Sequence, residues 1–306
     1  MSISKLSADL PTSVTIVEVG PRDGLQNEAT PIPVASKVAF IDGLADAGLK
    51  VIEATSFVDP RWVPQLSDAD EVLAALQRRP GVRYPVLVPN ERGLDRALEA
   101  GVNEISIFGS ATESFSMRNL DRSRADAVEM FRPVCTRALA SGLRVRAYLS
   151  MVMGDPWEGD VALAQVVESA LALLDLGATE LSLGDTIGVG TAGRVQDLIE
   201  ALLDSGISVE ALAVHFHDTY GQGLANVLAA LQTGVSIVDS SAGGLGGCPY
   251  AKSATGNLAT EDLVWMLEGL GIATGIDIKV VALAAKKVCD ELSKEVPGRV
   301  ARALLR

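Results

Sequence analysis

Arg144-Val145-Arg146-Ala147-Tyr148-Leu149-Ser150 is a short β-branched and aromatic run, followed by Val161, Leu163, Val166, Val167, Ala170, Leu171 and Leu174 at helical spacing. Asp175-Leu176-Gly177-Ala178 and Glu180-Leu181-Ser182-Leu183 come next. This reads as strand, amphipathic helix, strand, with Gly177 supplying the left-handed conformation that stops the helix. The same unit repeats in both directions. Before it lie strand candidates Val14 to Val19, Lys50 to Ala54, Tyr84 to Val88 and Glu104 to Phe108; after it lie Ala211 to Phe216 and Val235 to Asp239. Asp46-Ala47-Gly48-Leu49, Glu99-Ala100-Gly101-Val102 and Ala140-Ser141-Gly142-Leu143 end helices in the same way. Near-continuous apolar strands, buried on both faces, indicate a parallel sheet. Eight units without a Pro-, Gly- or Ser-rich linker predict one α/β domain, a TIM (β/α)8 barrel over about 14–258. Additional C-terminal helices are expected over about 260–306, with 1–306 as a single catalytic unit. An open doubly wound sheet is the second architecture this alternation allows.

Composition removes whole classes of function. With 39 Asp+Glu against 26 Lys+Arg, a net charge of −13 and no basic stripe, the chain is unsuited to nucleic acid. A 48% apolar content argues against disorder. No apolar run reaches the roughly 18 residues needed for a span, so no membrane partner is expected. MSISKLSADLPT lacks both a signal-peptide core and transit-peptide arginines, and a cytoplasmic location is expected. Cys135, Cys248 and Cys289 are too few and too scattered for a disulfide framework, which predicts free thiols.

Chemistry concentrates at strand ends, where a barrel places its active site. The only two histidines form His215-Phe216-His217, followed by Asp218. Residues i and i+2 of a strand share a side, so both imidazoles can converge on one metal ion. The first strand ends in Glu18-Val19-Gly20-Pro21-Arg22-Asp23-Gly24-Leu25-Gln26-Asn27-Glu28. Asp23 is a candidate third ligand for a hard divalent ion, and Arg22 a fixed positive charge for an oxygen that becomes anionic. Asp-Gly is also an ordinary turn, and the local sequence does not choose. Glu53 closes the second strand and Asp185 the sixth; Asp185 before Thr186 also suits a helix cap. After the eighth strand, Gly243-Gly244-Leu245-Gly246-Gly247-Cys248-Pro249 places a thiol on a glycine-rich loop as a candidate acid/base. Asn257 offers an amide oxygen as the fourth plausible metal ligand.

Val17 to Glu28, Ile52-Glu53 with Thr55 to Val58, Trp62 to Gln65, His215 to Gln222, and Gly244 to Lys252 with Gly256 to Asp262 together resemble the hydroxymethylglutaryl-CoA lyase branch of the metal-dependent barrel lyases and Claisen-condensing enzymes. The resemblance runs from about Val14 to Gly271. It implies metal ligation by Asp23, His215, His217 and Asn257, and catalytic roles for Arg22, Glu53, Asp185 and Cys248. It adds substrate contacts at Arg22, Gln26, Ser56 and Tyr148. The implied cofactor is Mg²⁺ or Mn²⁺, the partner an acyl-CoA, and the assembly a homodimer. Four places depart from the family pattern: Ala29 for a usual lysine, Asp59 for serine, Asp155 for a frequent cysteine, and Ser-Ala-Gly-Gly-Leu across Ala242-Gly243. All four could face the mouth of the site, which leaves the exact acyl group open.

The implied reaction is retro-Claisen cleavage of (S)-3-hydroxy-3-methylglutaryl-CoA to acetoacetate and acetyl-CoA, in leucine and ketone-body metabolism. Asp185 is the preferred base, with Glu53 orienting its neighbours and Cys248 serving the enolate carbon. The alternatives are a lyase for a related 3-hydroxy-3-alkylglutaryl-CoA, a condensing synthase using an α-keto acid, and a noncatalytic acyl-CoA- or metal-binding barrel.

Overall fold

A computed structural model of the chain describes residues 10–247 and 256–306. Eight parallel strands appear where the apolar runs predict them. They are β1 (Thr15–Glu18), β2 (Val51–Ile52 continued by Thr55–Ser56), β3 (Val86–Leu87), β4 (Glu104–Ser110), β5 (Arg144–Ser150), β6 (Glu180–Asp185), β7 (Leu212–Phe216) and β8 (Ile237–Ser240). Each pairs with its sequence neighbours, and β1 pairs with β8. The ring closes through β2: Val51 lies beside Val17 on one side and beside Arg83 on the other. The Glu53 N–H then donates to the Glu18 carbonyl and the Ala54 N–H to the Pro85 carbonyl, both at 2.9 Å. An open sheet is thereby excluded. β3 is short because Pro85 and Pro89 flank it and neither can donate to the ladder.

The helices are α1 (Val34–Asp46), α2 (Ala69–Ala75), α3 (Glu91–Glu99), α4 (Glu113–Leu120), α5 (Arg124–Ala140), α6 (Leu163–Asp175), α7 (Ala192–Asp204) and α8 (Gly223–Gln232). Gly48, Gly101, Gly142 and Gly177 all have positive φ, as the helix-stop reading requires. On α6 the buried face is Val166, Ala170 and Leu173, whereas Leu163 and Leu171 stay exposed. The tail forms α9 (Thr260–Gly269), α10 (Ile278–Glu291) and α11 (Arg299–Leu304). α10 lies on α1, with the Asp277 N–H donating to the Ala47 carbonyl at 2.7 Å.

The helix-facing residues of the strands, Val145, Ala147, Leu149, Leu181, Leu183, Val214 and Val238, share one core with Val134, Val166 and Ala170. The opposite faces of β5, β6 and β8 carry charge. Arg146, fully buried, donates through Nε to Glu180 and through Nη2 to Asp239 Oδ1 at 2.5 Å. Ser182 Oγ donates to Asp239 Oδ2 at 2.7 Å. A charged floor therefore replaces the branched apolar layers usual inside such barrels. It persists because each charge is paired: removing one partner of a buried pair costs about 3–5 kcal/mol.

Candidate active site

β1 runs into a π-helical turn, Gly20–Gly24, started by the Gly20 N–H on Glu18 Oε1 at 2.8 Å. One-turn π segments recur at functional sites, and this one carries Arg22 and Asp23. Arg22 donates from Nε to Glu53 Oε2 at 2.5 Å and from Nη1 to Asp23 Oδ1 at 2.9 Å. The Tyr148 hydroxyl donates to the same Glu53 oxygen at 3.0 Å, and the Arg22 guanidinium lies 5.0 Å from the Tyr148 ring centre. Burial works against the arginine's charge, but Glu53 and Asp23 outweigh it and hold its pKa above the ordinary value. Burial, then Glu53, pushes the Tyr148 phenol well above its usual range, so it remains a donor.

Beside this pair, ligand atoms of Asp23, His215 and His217 lie within 4.8 Å of one another. The alternation along β7 brings both imidazoles to one side, 5.4 Å apart between ring centres. Burial raises the Asp23 pKa, but Arg22 and the two histidines bring it below the ordinary value, so a carboxylate faces the rings. Asn257 is brought in by backbone pairing: it bridges antiparallel to His217, and the Leu258 N–H donates to the Phe216 carbonyl at 3.1 Å. Its Nδ2 donates to Asp23 Oδ2 at 2.7 Å and to the Leu245 carbonyl at 3.2 Å, while its buried Oδ1 has no hydrogen-bond partner among the described residues. Gly246, at φ +115°, permits that approach, since a Cβ there would stand 2.6 Å from Asn257 Nδ2. Gln26 Nε2 holds Asp23 Oδ1 at 3.0 Å. Two imidazole nitrogens, a carboxylate and an unpartnered amide oxygen form a mixed donor set suited to a divalent ion.

Asp185 adjoins the donor set through its backbone, its carbonyl accepting the His217 N–H at 3.4 Å, but its side chain is engaged elsewhere. Asp185 accepts the N–H groups of Val189 at 3.1 Å and Gly190 at 2.8 Å. It caps a turn and not the helix, since α7 takes Thr191 at its N-cap. Burial raises its pKa, and among the described residues none of its side-chain hydrogen bonds reaches the Arg22 or His215 groups. Ser56 Oγ accepts the Val58 N–H at 3.1 Å, a local turn. Cys248 lies outside the described residues. Cys135 and Cys289 are buried free thiols whose pKa burial lifts to about 11.

Two of the four family departures are buried and have structural partners. Asp155 is buried and accepts Thr112 Oγ1 at 2.6 Å and the N–H groups of Trp157 and Glu158, so it builds a turn. Ala242 and Gly243 are buried, and Gly243 lies near Ala285 and Val296. Ala29 is exposed, and the charge of Asp59 is answered by Arg61 at 2.7 Å. Sequence reasoning passed over Asp239, whose Oδ2 lies 3.2 Å from His215 Nδ1, and its partner Arg146. Asp239 does end a strand, as the chosen acids do, and the register places it beside His215.

Fold and site together define a barrel enzyme with a candidate divalent-metal centre at the C-terminal ends of its strands. The HMGL-like family matches residues 13–288, and the chain belongs to it. It is 53% identical over 294 residues to the mitochondrial hydroxymethylglutaryl-CoA lyase of Rattus norvegicus, covering 96% of this chain and 90% of that one. It is 52% identical over 297 residues to the 3-hydroxy-3-isohexenylglutaryl-CoA/hydroxymethylglutaryl-CoA lyase of Pseudomonas aeruginosa, with 97% and 99% covered. The crystal structure of hydroxymethylglutaryl-CoA lyase from Pseudomonas aeruginosa superposes with a TM-score of 0.95 at 52% identity, over 97% and 99% of the two chains. That of an HMG-CoA lyase from Acinetobacter baumannii, in complex with coenzyme A and 3-methylmalate, gives 0.91 at 35% identity over 98% and 97%. Among the described residues no helix is long and apolar enough to cross a membrane.

Proposed function

We infer that this chain is a hydroxymethylglutaryl-CoA lyase, a carbon–carbon lyase that cleaves (S)-3-hydroxy-3-methylglutaryl-CoA to acetoacetate and acetyl-CoA. The observation that carries this is the juxtaposition of Arg22, Glu53 and Tyr148 with the Asp23, His215, His217 and Asn257 donor set. Those four residues would hold Mg²⁺ or Mn²⁺, which when bound acidifies and positions the substrate's hydroxyl and carboxylate oxygens. Arg22, fixed by Glu53 and Asp23, answers the charge that develops on the thioester oxygen as the C2–C3 bond breaks. Gln26 keeps Asp23 oriented.

The two carboxylates available for the 3-hydroxyl proton differ in how their oxygens are used. Both Asp185 oxygens are held by backbone N–H groups, whereas Glu53 Oε1 has no partner among the described residues. This favours Glu53 as the base and leaves Asp185 to hold the turn after β6. Cys248 is assigned to the enolate carbon on its sequence position alone. The acyl-CoA arm would cross the rim of the barrel, outside the donor set. A single catalytic unit, a homodimer, a cytoplasmic setting and a role in leucine catabolism complete the reading.

The test is incubation of the metal-stripped chain with the CoA ester, with and without added Mg²⁺ or Mn²⁺, assaying free acetoacetate. Product should appear only with metal. No product from 3-methyl or longer 3-alkyl esters would sink the lyase assignment, while cleavage of a longer ester alone would move the substrate toward that of the Pseudomonas relative.

A further inference from the structure

His215 has its two ring nitrogens in different company. Nδ1 lies 3.2 Å from Asp239 Oδ2, and Nε2 lies 3.9 Å from Asp23 Oδ2, inside the donor set. Asp239 is wholly committed: Oδ1 takes Arg146 Nη2 at 2.5 Å, Oδ2 takes Ser182 Oγ at 2.7 Å, and the side chain is fully buried. With a guanidinium on one oxygen and a hydroxyl donor on the other, it meets the imidazole as an acceptor. Arg146 is itself anchored below by Glu180 through the same fork, and Glu180 also takes Arg144 at 3.1 Å. The chain Glu180, Arg146, Asp239, His215 thus runs from the barrel floor to the mouth, across β6, β5, β8 and β7.

We propose that Asp239, clamped by Arg146 and Ser182, is a positioning residue that fixes the proton of His215 on Nδ1, so that the Nε2 lone pair is presented to the divalent ion. The idea rests on the metal reading above but makes a claim about the protein alone. An aspartate that accepts from Nδ1–H sets both the tautomer and the ring angle, and loss of such partners typically weakens metal binding about 10–100-fold. Asp239→Asn is nearly isosteric. Arg146 would still donate to the amide oxygen, which turns the NH₂ toward the ring, so the imidazole must accept at Nδ1 and carry its proton on Nε2.

The chain has only two histidines, which makes the question directly visible. Long-range ¹H–¹⁵N spectra of the metal-free protein, recorded at alkaline pH, report each tautomer, with His217→Gln used for assignment. His215 is expected as the Nδ1–H form in the parent chain and as the Nε2–H form in Asp239→Asn. Mn²⁺ titration followed by electron paramagnetic resonance should show the variant binding about 10–100-fold more weakly. An Nε2–H tautomer in the parent chain overturns the proposal even if the variant does not fold. So does a variant with the parent's tautomer and Mn²⁺ affinity. A parent chain that shows the Nδ1–H form yet binds no Mn²⁺ would fail the metal reading and leave the positioning claim standing.

Discussion

Two buried arginines, each bonded to two carboxylates, lie within 5.0 Å of the ring of Tyr148 and serve different ends. Arg146 in the floor joins Glu180 and Asp239, and the outer oxygens of both acids are taken up by Arg144, Ser182 and His215. Arg22 at the mouth joins Glu53 and Asp23, but there Glu53 Oε1 and Asn257 Oδ1 have no partner among the described residues. In the floor, Arg146 Nη1 and the Oγ of Ser106 beside it are donors without a partner among the described residues. Buried acceptors without donors are costly unless something else completes them. Two such acceptors sit beside the donor set at the mouth, where a bound ion or substrate would complete them.

Substitution can break that contrast. At the mouth, Arg22→Gln should lower kcat by about 10²–10³ with little change in KM, because its charge acts on the transition state. A raised KM with normal turnover would make Arg22 a ground-state anchor and erase the distinction.

Glu53→Gln and Asp185→Asn sharpen it within the acids. If Glu53 is the base, its variant should lose most of kcat and the acid limb of the pH–kcat profile, whereas Asp185→Asn should retain that limb. The opposite pattern would return the base to Asp185.

In the floor, Arg146→Met should act on stability, destabilising the fold by about 3–5 kcal/mol as measured by denaturant titration, since it strands Glu180 and Asp239. A stability equal to the parent's would show that the floor is dispensable scaffold.

The smallest effect concerns the acids beneath the glycine turn. Burial lifts Glu18 from 4.5 to about 7 and Glu261 from 4.5 to about 8; they accept from the backbone of Ala242 and Gly243. Folded protein holds these protons after the unfolded chain has lost them. Their stabilisation is therefore complete below about pH 4.5 and fades as pH rises through about 7 to 8. Melting temperature should fall by a few degrees over that window, and less steeply in Glu18→Gln. A flat profile in the parent chain would deny that these carboxyls carry protons.

The barrel was legible because its signals are local: apolar runs of strand length, helical spacing, and glycines that had to take positive φ. The donor set was legible for a related reason, since strand alternation alone aligns His215 with His217. What the sequence hid depends on register between distant strands. Nothing near Arg146 announces that it meets Asp239, 93 positions along the chain, and Asp239 looks like the start of a glycine-rich loop until β8 is laid beside β7. Asp185 was legible as an acid ending a strand at the right rim, but not the turn that follows it, whose Val189 and Gly190 N–H groups its two oxygens accept.

The pairing of β1 with β8 also governs when the enzyme can exist during synthesis. The ribosome delivers Arg22, Asp23 and Glu53 early, while both imidazoles, Asp239 and Asn257 come from the last third of the chain. Until β8 emerges, Thr15–Glu18 presents an unpaired edge, the kind of surface that recruits wrong partners. The nascent barrel thus carries an incomplete active site and an open seam together until the last third of the chain is made.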